Sequence, residues 1–173
     1  MMDETDFWQI IDDTWEAAAG DPDEQAERLV ERLVQLTPDD VIDFARLFEA
    51  RFQRAYRHDL WGAAHLLLDG ASEETFDYFR CWLIGQGREV FEGGLAEPDD
   101  LADLLPEFDE EEDGEAEDLG YAADEAYEQL TGLPLPDVGG RQAGRPSGTP
   151  LDFEDPDVMA KRFPKLWERY GDQ

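Results

Sequence analysis

Apolar residues recur at helical spacing along most of the chain, with polar residues on the opposite face of each stripe. No segment shows the strict alternation that is typical of a half-buried strand. The pattern therefore predicts an all-α fold. The helices are expected over residues 6–19, 22–36, 38–57, 60–68 and 76–91, with shorter ones near 101–105, 119–130 and 157–170.

Several of these helices begin at a recognisable start signal. Asp21, Thr37 and Ser72 each place a side-chain oxygen directly before a proline or an acidic residue. Such oxygens accept hydrogen bonds from the free N–H groups of the first helical turn. We therefore expect helices to begin immediately after these three residues.

The stretch over residues 76–91 is apolar nearly all round, which is typical of a central helix enclosed by others. Phe76, Phe79 and Leu83 share one face, whereas Trp82 lies on the opposite side. Glycines at 85 and 87 weaken the helix and predict a kink or an early end there.

Arg80 falls inside the apolar arc of this central helix. A buried guanidinium needs a partner, because an unpaired buried charge costs several kcal/mol, roughly. Asp77 is three residues away on the same helix, and Asp59 could reach Arg80 if two helices pack side by side. One interpretation is therefore an Asp–Arg lock that sets the register of the helices.

The other interpretation is a pocket in which Arg80 or Arg88 receives an anionic ligand or an acidic partner segment. Aromatic side chains nearby in the sequence would form its walls. The candidate ligand-binding residues are Tyr56, Asp59, Trp61, Asp77, Arg80 and Arg88.

The formal net charge of −31 restricts the possible partners. Such a charge repels nucleic-acid backbones and anionic membrane surfaces, so direct binding to either is disfavoured. A basic protein or a cation is the expected partner. Apolar residues still make up 41% of the chain, which is too many for a disordered protein.

Cysteine usage and the start of the chain favour a cytoplasmic protein. Cys81 is the single cysteine and cannot form an internal disulfide. The first residues lack the positive and apolar regions of a signal peptide. No apolar run approaches the roughly 20 residues of a membrane span.

Composition divides the chain into three parts: a helical domain over residues 1–132, a Pro- and Gly-rich linker or loop over 133–156, and a C-terminal helical segment over 157–173. The aromatic residues of the last part predict that it docks on the domain. Within the first part, residues 107–118 form an acidic loop, which self-repulsion should keep partly extended or mobile. We expect one orthogonal or bundle-like domain of about seven or eight helices.

Arginines on the polar side of the third helix form the one dense basic patch of this acidic chain. They are Arg46, Arg51, Arg54 and Arg57. The patch could simply balance acidic neighbours, as most surface charges do, or it could be an internal docking face for the acidic loop.

Four stretches resemble the bacterial domain-of-unknown-function family 4240. They are FWQIID at 7–12, AYRHDLWGAA at 55–64, FDYFRCWLIGQGREVFEGGLAEPDDLA at 76–102 and YAADEAYEQLTG at 121–132. The resemblance covers most of the first 132 residues. It implies a helical bacterial domain but no established activity.

Motifs of catalysis, nucleotide binding and metal binding are absent from the sequence. There is no P-loop, no Gly-x-Ser-x-Gly elbow and no His-Glu-x-x-His. His58 and His65 are too few for a zinc site. The acidic run that begins at Asp109 resembles a calcium-binding loop but has Gly120 where the twelfth-position glutamate belongs. We assign no catalytic residue, metal or cofactor, and whether the protein is an enzyme stays open.

Three functions follow from these observations. The first is a non-enzymatic interaction or regulatory module that uses its acidic surface against a basic partner. The second is a small-molecule binder or enzyme with a site around Asp59, Arg80 and Arg88. The third is a DNA mimic, which would need carboxylates spaced like phosphates over a continuous surface, whereas much of the charge here lies in one loop.

Overall fold

The all-α prediction is confirmed by the computed structural model, which describes residues 2–110, 113–138 and 144–171. These residues form ten α-helices, two 3-10 helices and one isolated β-bridge, with no strand among them. The α-helices are α1 (Glu4–Ala17), α2 (Pro22–Leu33), α3 (Pro38–Arg54), α4 (His58–Leu67), α5 (Glu73–Gly85), α6 (Arg88–Ala96), α7 (Leu101–Leu104), α8 (Ala122–Thr131), α9 (Pro156–Arg162) and α10 (Pro164–Tyr170). The 3-10 helices are η1 (Pro98–Asp100) and η2 (Asp118–Tyr121).

The predicted start signals operate as N-caps. The Asp21 side chain accepts hydrogen bonds from the N–H groups of residues 23 and 24, at 3.0 and 3.2 Å. Thr37 and Ser72 accept one each from residues 40 and 75, at 3.2 and 3.1 Å. Each bond satisfies a donor that the helix itself leaves without a partner.

Helix α5 lies at the centre of the domain, as its apolar circumference predicted. It packs against α1, α2, α3, α4, α6 and η2. Phe76, Phe79, Leu83 and Ile84 are completely buried. Surrounding helices therefore cover this helix on most of its circumference.

The helix count was too low in the prediction, because two predicted helices are each divided in two. The central stretch ends α5 at Gly85 and restarts α6 at Arg88, with Gly87 at a φ of +103° that L side chains rarely adopt. The C-terminal stretch breaks between Arg162 and Pro164, since proline cannot donate the hydrogen bond that would continue α9. The sequence predicted a kink or an early end near residues 85–87, and the structure has a complete helix end there.

The described part of the acidic loop lies against the body of the domain. The Ala116 N–H donates to the Tyr78 carbonyl of α5 at 3.2 Å. The ring of Phe108 meets Trp82 edge-on, with 5.5 Å between ring centroids. The half-buried Phe108 and the buried Ala116 thus hold the loop on the two sides of residues 111–112. Those two residues lie outside the described residues.

The C-terminal segment docks on the domain as predicted. Helix α10 packs against α4, η1 and α7, and Phe163 and Leu166 are completely buried. Gly62 of α4 makes this approach possible, because a Cβ atom there would lie 2.8 Å from the Phe163 ring.

The linker also contacts the domain. Ser147 exchanges backbone hydrogen bonds of 2.9 and 3.0 Å with residues 56 and 58. Residues 139–143 of the predicted linker and 172–173 of the predicted C-terminal segment lie outside the described residues.

Candidate functional site

The guanidinium of Arg80 is enclosed between α5 and the end of α3. The residue is only 4% exposed. Its Nη1 donates to the Phe52 carbonyl oxygen at 2.8 Å, and its Nη2 donates to the Asp77 carboxylate. Phe52 lies in the last turn of α3, where carbonyls lack a partner within the helix. Arg80 therefore caps α3 from a neighbouring helix.

Aromatic rings surround the same guanidinium. Its central carbon lies 3.8 Å from the ring centroid of Phe52, 4.5 Å from that of Tyr56 and 5.0 Å from that of Phe76. Burial lowers the pKa of Arg80, and the hydrogen bond with Asp77 opposes this shift. An arginine retains its proton in proteins, so the group is a buried cation held by a carboxylate, a carbonyl and ring faces.

Of the two candidate carboxylates, Asp77 is the partner of Arg80. The Asp77 side chain is 35% exposed, whereas that of Arg80 is buried. Solvent therefore reaches the ion pair at the carboxylate and not at the guanidinium. Asp59 instead binds Arg57 through two hydrogen bonds of 2.9 and 2.5 Å, and Arg162 approaches it at 3.4 Å. The geometry therefore supports the Asp–Arg lock more strongly than a ligand pocket.

The two expected wall residues have internal roles. Trp61 stacks on Phe76 with 5.1 Å between ring centroids, and its Nε1 donates to the Ala71 carbonyl at 2.9 Å. The Tyr56 hydroxyl donates to Glu73 at 3.1 Å. Burial and this hydrogen bond raise the pKa of Tyr56. The Tyr56 ring thus faces the Arg80 guanidinium and Trp61 supports Phe76, and the polar ends of both rings are already bonded.

Arg88 lies elsewhere, in an open cleft of about 720 Å³ between α1 and α6. The cleft is also lined by Asp12, Trp15 and Gln86. Arg88 forms an ion pair with Glu4, with 3.9 Å between Nη2 and Oε2. The structure therefore brings Asp77, Arg80 and Tyr56 together and leaves Asp59 and Arg88 in other environments.

Arg51 and Arg54 of the basic patch on α3 are paired with acidic residues of other helices, whereas Arg46 pairs with Asp43 of α3 itself. Arg51 binds Glu4 of α1 at 2.6 Å, and Arg54 binds Glu92 of α6 at 2.7 and 2.8 Å. None of the described ion pairs of the patch involves the acidic loop. This arrangement supports charge balance rather than a docking face for that loop.

The Arg54–Glu92 pair makes a small, pH-dependent contribution to stability. Its hydrogen bonds lower the pKa of Glu92 below the usual value of 4.5, so the stabilisation is present above that pH and is lost as the pH falls through the folded-state pKa. Both side chains are partly exposed, so Glu92→Gln should cost less than about 1 kcal/mol at pH 7. Urea unfolding of the protein and the variant should give different midpoints at pH 7, and the difference should shrink as the pH falls below 4.5. A difference that grows on acidification would contradict this assignment.

A cleft that the sequence analysis missed lies between α2, η2 and α8. It measures about 470 Å³ and is lined by Asp23, Ala26, Glu27, Val30, Glu31, Asp118, Tyr121 and Glu125. We call it the carboxylate cleft. Its signal in the sequence is the spacing of three acidic residues at 23, 27 and 31, which places them on one face of α2. The other two carboxylates, Asp118 of η2 and Glu125 of α8, are far from α2 in the sequence.

In the described part of the chain, one basic side chain, Arg28, forms an ion pair with the lining of the carboxylate cleft. Glu31 pairs with Arg28 at 2.8 Å. Within the described ranges, Asp23, Glu27, Asp118 and Glu125 have no ion-pair partner. The cleft therefore concentrates uncompensated negative charge beside the half-exposed ring of Tyr121.

Other kinds of site find no support in the parts of the chain that the structure covers. No group of three or more His, Cys, Asp and Glu side chains there could hold a metal ion. His65 uses its Nδ1 to accept a hydrogen bond from the Ala71 N–H at 3.2 Å. No helix in these parts is both long and apolar enough to cross a membrane.

Fold and sites together define an all-helical, strongly acidic domain in which the buried guanidinium of Arg80 is paired with Asp77. The family model described as "Protein of unknown function (DUF4240)" matches residues 2–129, and the chain belongs to that family. The match confirms the resemblance seen in the sequence. It ends before α9, so the docked C-terminal helices lie outside it. No curated protein and no solved structure matches the chain.

Proposed function

We propose that this domain is a non-enzymatic interaction module that binds a basic segment of a partner protein at the carboxylate cleft. The observation that carries the proposal is the set of four carboxylates there, at Asp23, Glu27, Asp118 and Glu125, without a cation among the described residues. Like charges held together raise the energy of the free protein, and a bound cation relieves this repulsion.

Charge elsewhere in the molecule supports the same proposal. Many basic side chains are already paired within the domain, including Arg32 with Asp13 and Arg54 with Glu92. The net charge of −31 then attracts a basic partner over long distances and accelerates association. The half-exposed Tyr121 also lines the cleft, so an aromatic side chain lies beside the carboxylates.

The chain contains one example of such recognition. Its own basic C-terminal helices dock on carboxylates of the segment from Glu97 to Asp103. A segment of similar chemistry in another protein is the kind of partner that we propose for the carboxylate cleft. The buried single cysteine fits a cytoplasmic location, which is part of the proposal.

The two alternative functions have weaker support. A binder of anionic ligands, or an enzyme, around Asp59, Arg80 and Arg88 would need these residues to converge on one cavity. Instead, Asp59 pairs with Arg57, Arg80 pairs with Asp77, and Arg88 lines a separate cleft. A DNA mimic would bind a nucleic-acid-binding protein, and this outcome would be recognised from the identity of the captured partner.

The proposal predicts that removing charge from the carboxylate cleft weakens the binding of a basic peptide. The double variant Glu27→Gln, Glu125→Gln should bind a fluorescent lysine- and arginine-rich peptide about tenfold more weakly, a loss of about 1.4 kcal/mol. Fluorescence anisotropy at about 50 and 200 mM salt measures the effect, which screening should reduce at the higher salt.

The matched control is the double variant Glu154→Gln, Glu168→Gln, which removes the same charge from exposed positions near the C-terminus. It should bind nearly as tightly as the unchanged protein. Equal weakening in both double variants would mean that only net charge matters and would contradict a specific cleft. In a pull-down from native cytosol, the unchanged protein should retain a salt-sensitive basic companion that the cleft variant loses.

A further inference from the structure

The groove that holds α10 is built to receive a basic helix. It is formed by α4, η1 and α7, and we call it the C-terminal groove. Lys165 of α10 binds Asp100 and Asp103 at 2.9 and 2.7 Å, and Arg162 binds Glu97 at 2.8 Å. Arg169 donates to the Ala102 and Pro106 carbonyls. These acceptors lie within residues 97–106 of the domain, and Arg162 also donates to Asp59 at 3.4 Å.

A buried carboxylate receives the start of the docked helix. Asp99 is only 5% exposed, and its two oxygens accept from the backbone N–H groups of Lys165 and Leu166 at 3.2 and 3.0 Å. These N–H groups belong to the first turn of α10, where a helix lacks internal acceptors and carries partial positive charge. The groove thus recognises the direction of the helix as well as its side chains.

An apolar pocket completes the groove. Phe163 and Leu166 enter it and are completely buried, and Met159 is nearly so. Gly62 forms part of the wall, because any larger residue would place its Cβ atom 2.8 Å from the Phe163 ring. An aromatic residue immediately before the helix is therefore the expected anchor of any occupant.

The groove and its occupant belong to different parts of the chain. The groove lies within the region that matches the family, whereas α9 and α10 begin after the match ends at residue 129. Between them runs a segment rich in proline and glycine, most of whose described residues are exposed. The acceptor surface thus lies within the stretch that matches the family, and the helices that fill it lie outside that stretch.

We propose that the C-terminal groove is a docking site for basic helical segments with an aromatic anchor, and that residues 156–170 are its intramolecular occupant. A partner segment of the same chemistry competes for it. The required arrangement is an aromatic residue, then the helix start, a lysine, a buried leucine and an arginine one turn later, as at Phe163, Lys165, Leu166 and Arg169. This groove shares no lining residue with the carboxylate cleft, so the inference goes beyond the function proposed above.

Competition between the tethered segment and a free peptide tests the proposal. The full-length double variant Lys165→Glu, Arg169→Glu places negative charge beside Asp100, Asp103 and two carbonyls and should release its own segment. A fluorescent peptide with the sequence of residues 155–171 should then bind this variant at least tenfold more tightly than the unchanged protein, because a tethered competitor has an effective concentration near the millimolar range. A peptide with alanine in place of Phe163 should bind at least tenfold more weakly to the variant.

Each other outcome would overturn the proposal. A variant that still unfolds cooperatively, with a helical signal reduced by no more than that of α9 and α10, but fails to bind the peptide would show that the groove does not accept a second segment. Loss of helical signal and of cooperative unfolding in the variant would show that α9 and α10 are inseparable from the core. Equal binding of the two peptides would indicate non-specific attraction to acidic surface. The Glu27→Gln, Glu125→Gln variant, which keeps the C-terminal segment docked, tests the carboxylate cleft separately.

Discussion

Leu83→Ala should lower the free energy of unfolding by about 3–4 kcal/mol, the largest effect expected for any of the changes considered. Leu83 lies in the middle of α5 and is 0% exposed. The substitution removes buried apolar surface and leaves a cavity that the six helices packed against α5 cannot easily close, because each of them is also packed elsewhere. Urea unfolding at neutral pH, followed by circular dichroism, measures the loss.

Leu133→Ala is the matched control, since it makes the same chemical change at a side chain that is 60% exposed. It should change the free energy of unfolding by less than about 0.5 kcal/mol. Similar costs at the two positions would mean that α5 is not the enclosed centre of the domain.

Asp77→Ala should cost about 2–3 kcal/mol, whereas Arg80→Met should cost only about 1 kcal/mol. Removing Asp77 leaves the buried guanidinium of Arg80 with the Phe52 carbonyl as its one remaining described hydrogen-bond acceptor. Methionine, in contrast, keeps an apolar chain of similar length among the surrounding rings and removes the buried charge. Its cost comes from the Phe52 carbonyl, which loses its cap at the end of α3.

The double variant Asp77→Ala, Arg80→Met completes a thermodynamic cycle for the lock. It should be more stable than Asp77→Ala alone, because the buried cation and its missing partner disappear together. The variant Asp59→Ala should show no such coupling with Arg80→Met, since Asp59 binds Arg57 and Arg162. A larger cost for Arg80→Met than for Asp77→Ala would instead mean that capping and ring contacts, rather than the ion pair, dominate at this position.

Local chemistry accounts for the parts of the fold that could be predicted. Capping at Asp21, Thr37 and Ser72 depends on residues at most three positions apart, so it can be read from the sequence directly. The central position of α5 follows from its apolar circumference, because water would otherwise contact that surface. The division at Gly87 was harder to predict, because a kink and a complete helix end have the same local signal.

The candidate site depends on contacts between distant residues, and its prediction was correspondingly incomplete. Asp77 and Arg80 share a helix, and their pairing was one of two alternatives that spacing allowed. The position of Asp59 was decided by Arg57 and by Arg162, the latter from a helix about a hundred residues later. The carboxylate cleft was missed because its two sides, around Glu27 and Glu125, are separated by most of the domain.

Periodicity, capping and composition were sufficient to establish a helical domain with a central apolar helix, a family resemblance and a strongly acidic character. These properties depend on residues close in sequence or on simple totals. The tertiary arrangement alone established which carboxylate holds Arg80, which arginines are neutralised, and which surface the C-terminal helices cover. Hydrogen-bonded ion pairs need donor and acceptor atoms within about 3 Å of each other, so they depend on the distances that packing creates between residues far apart in the chain.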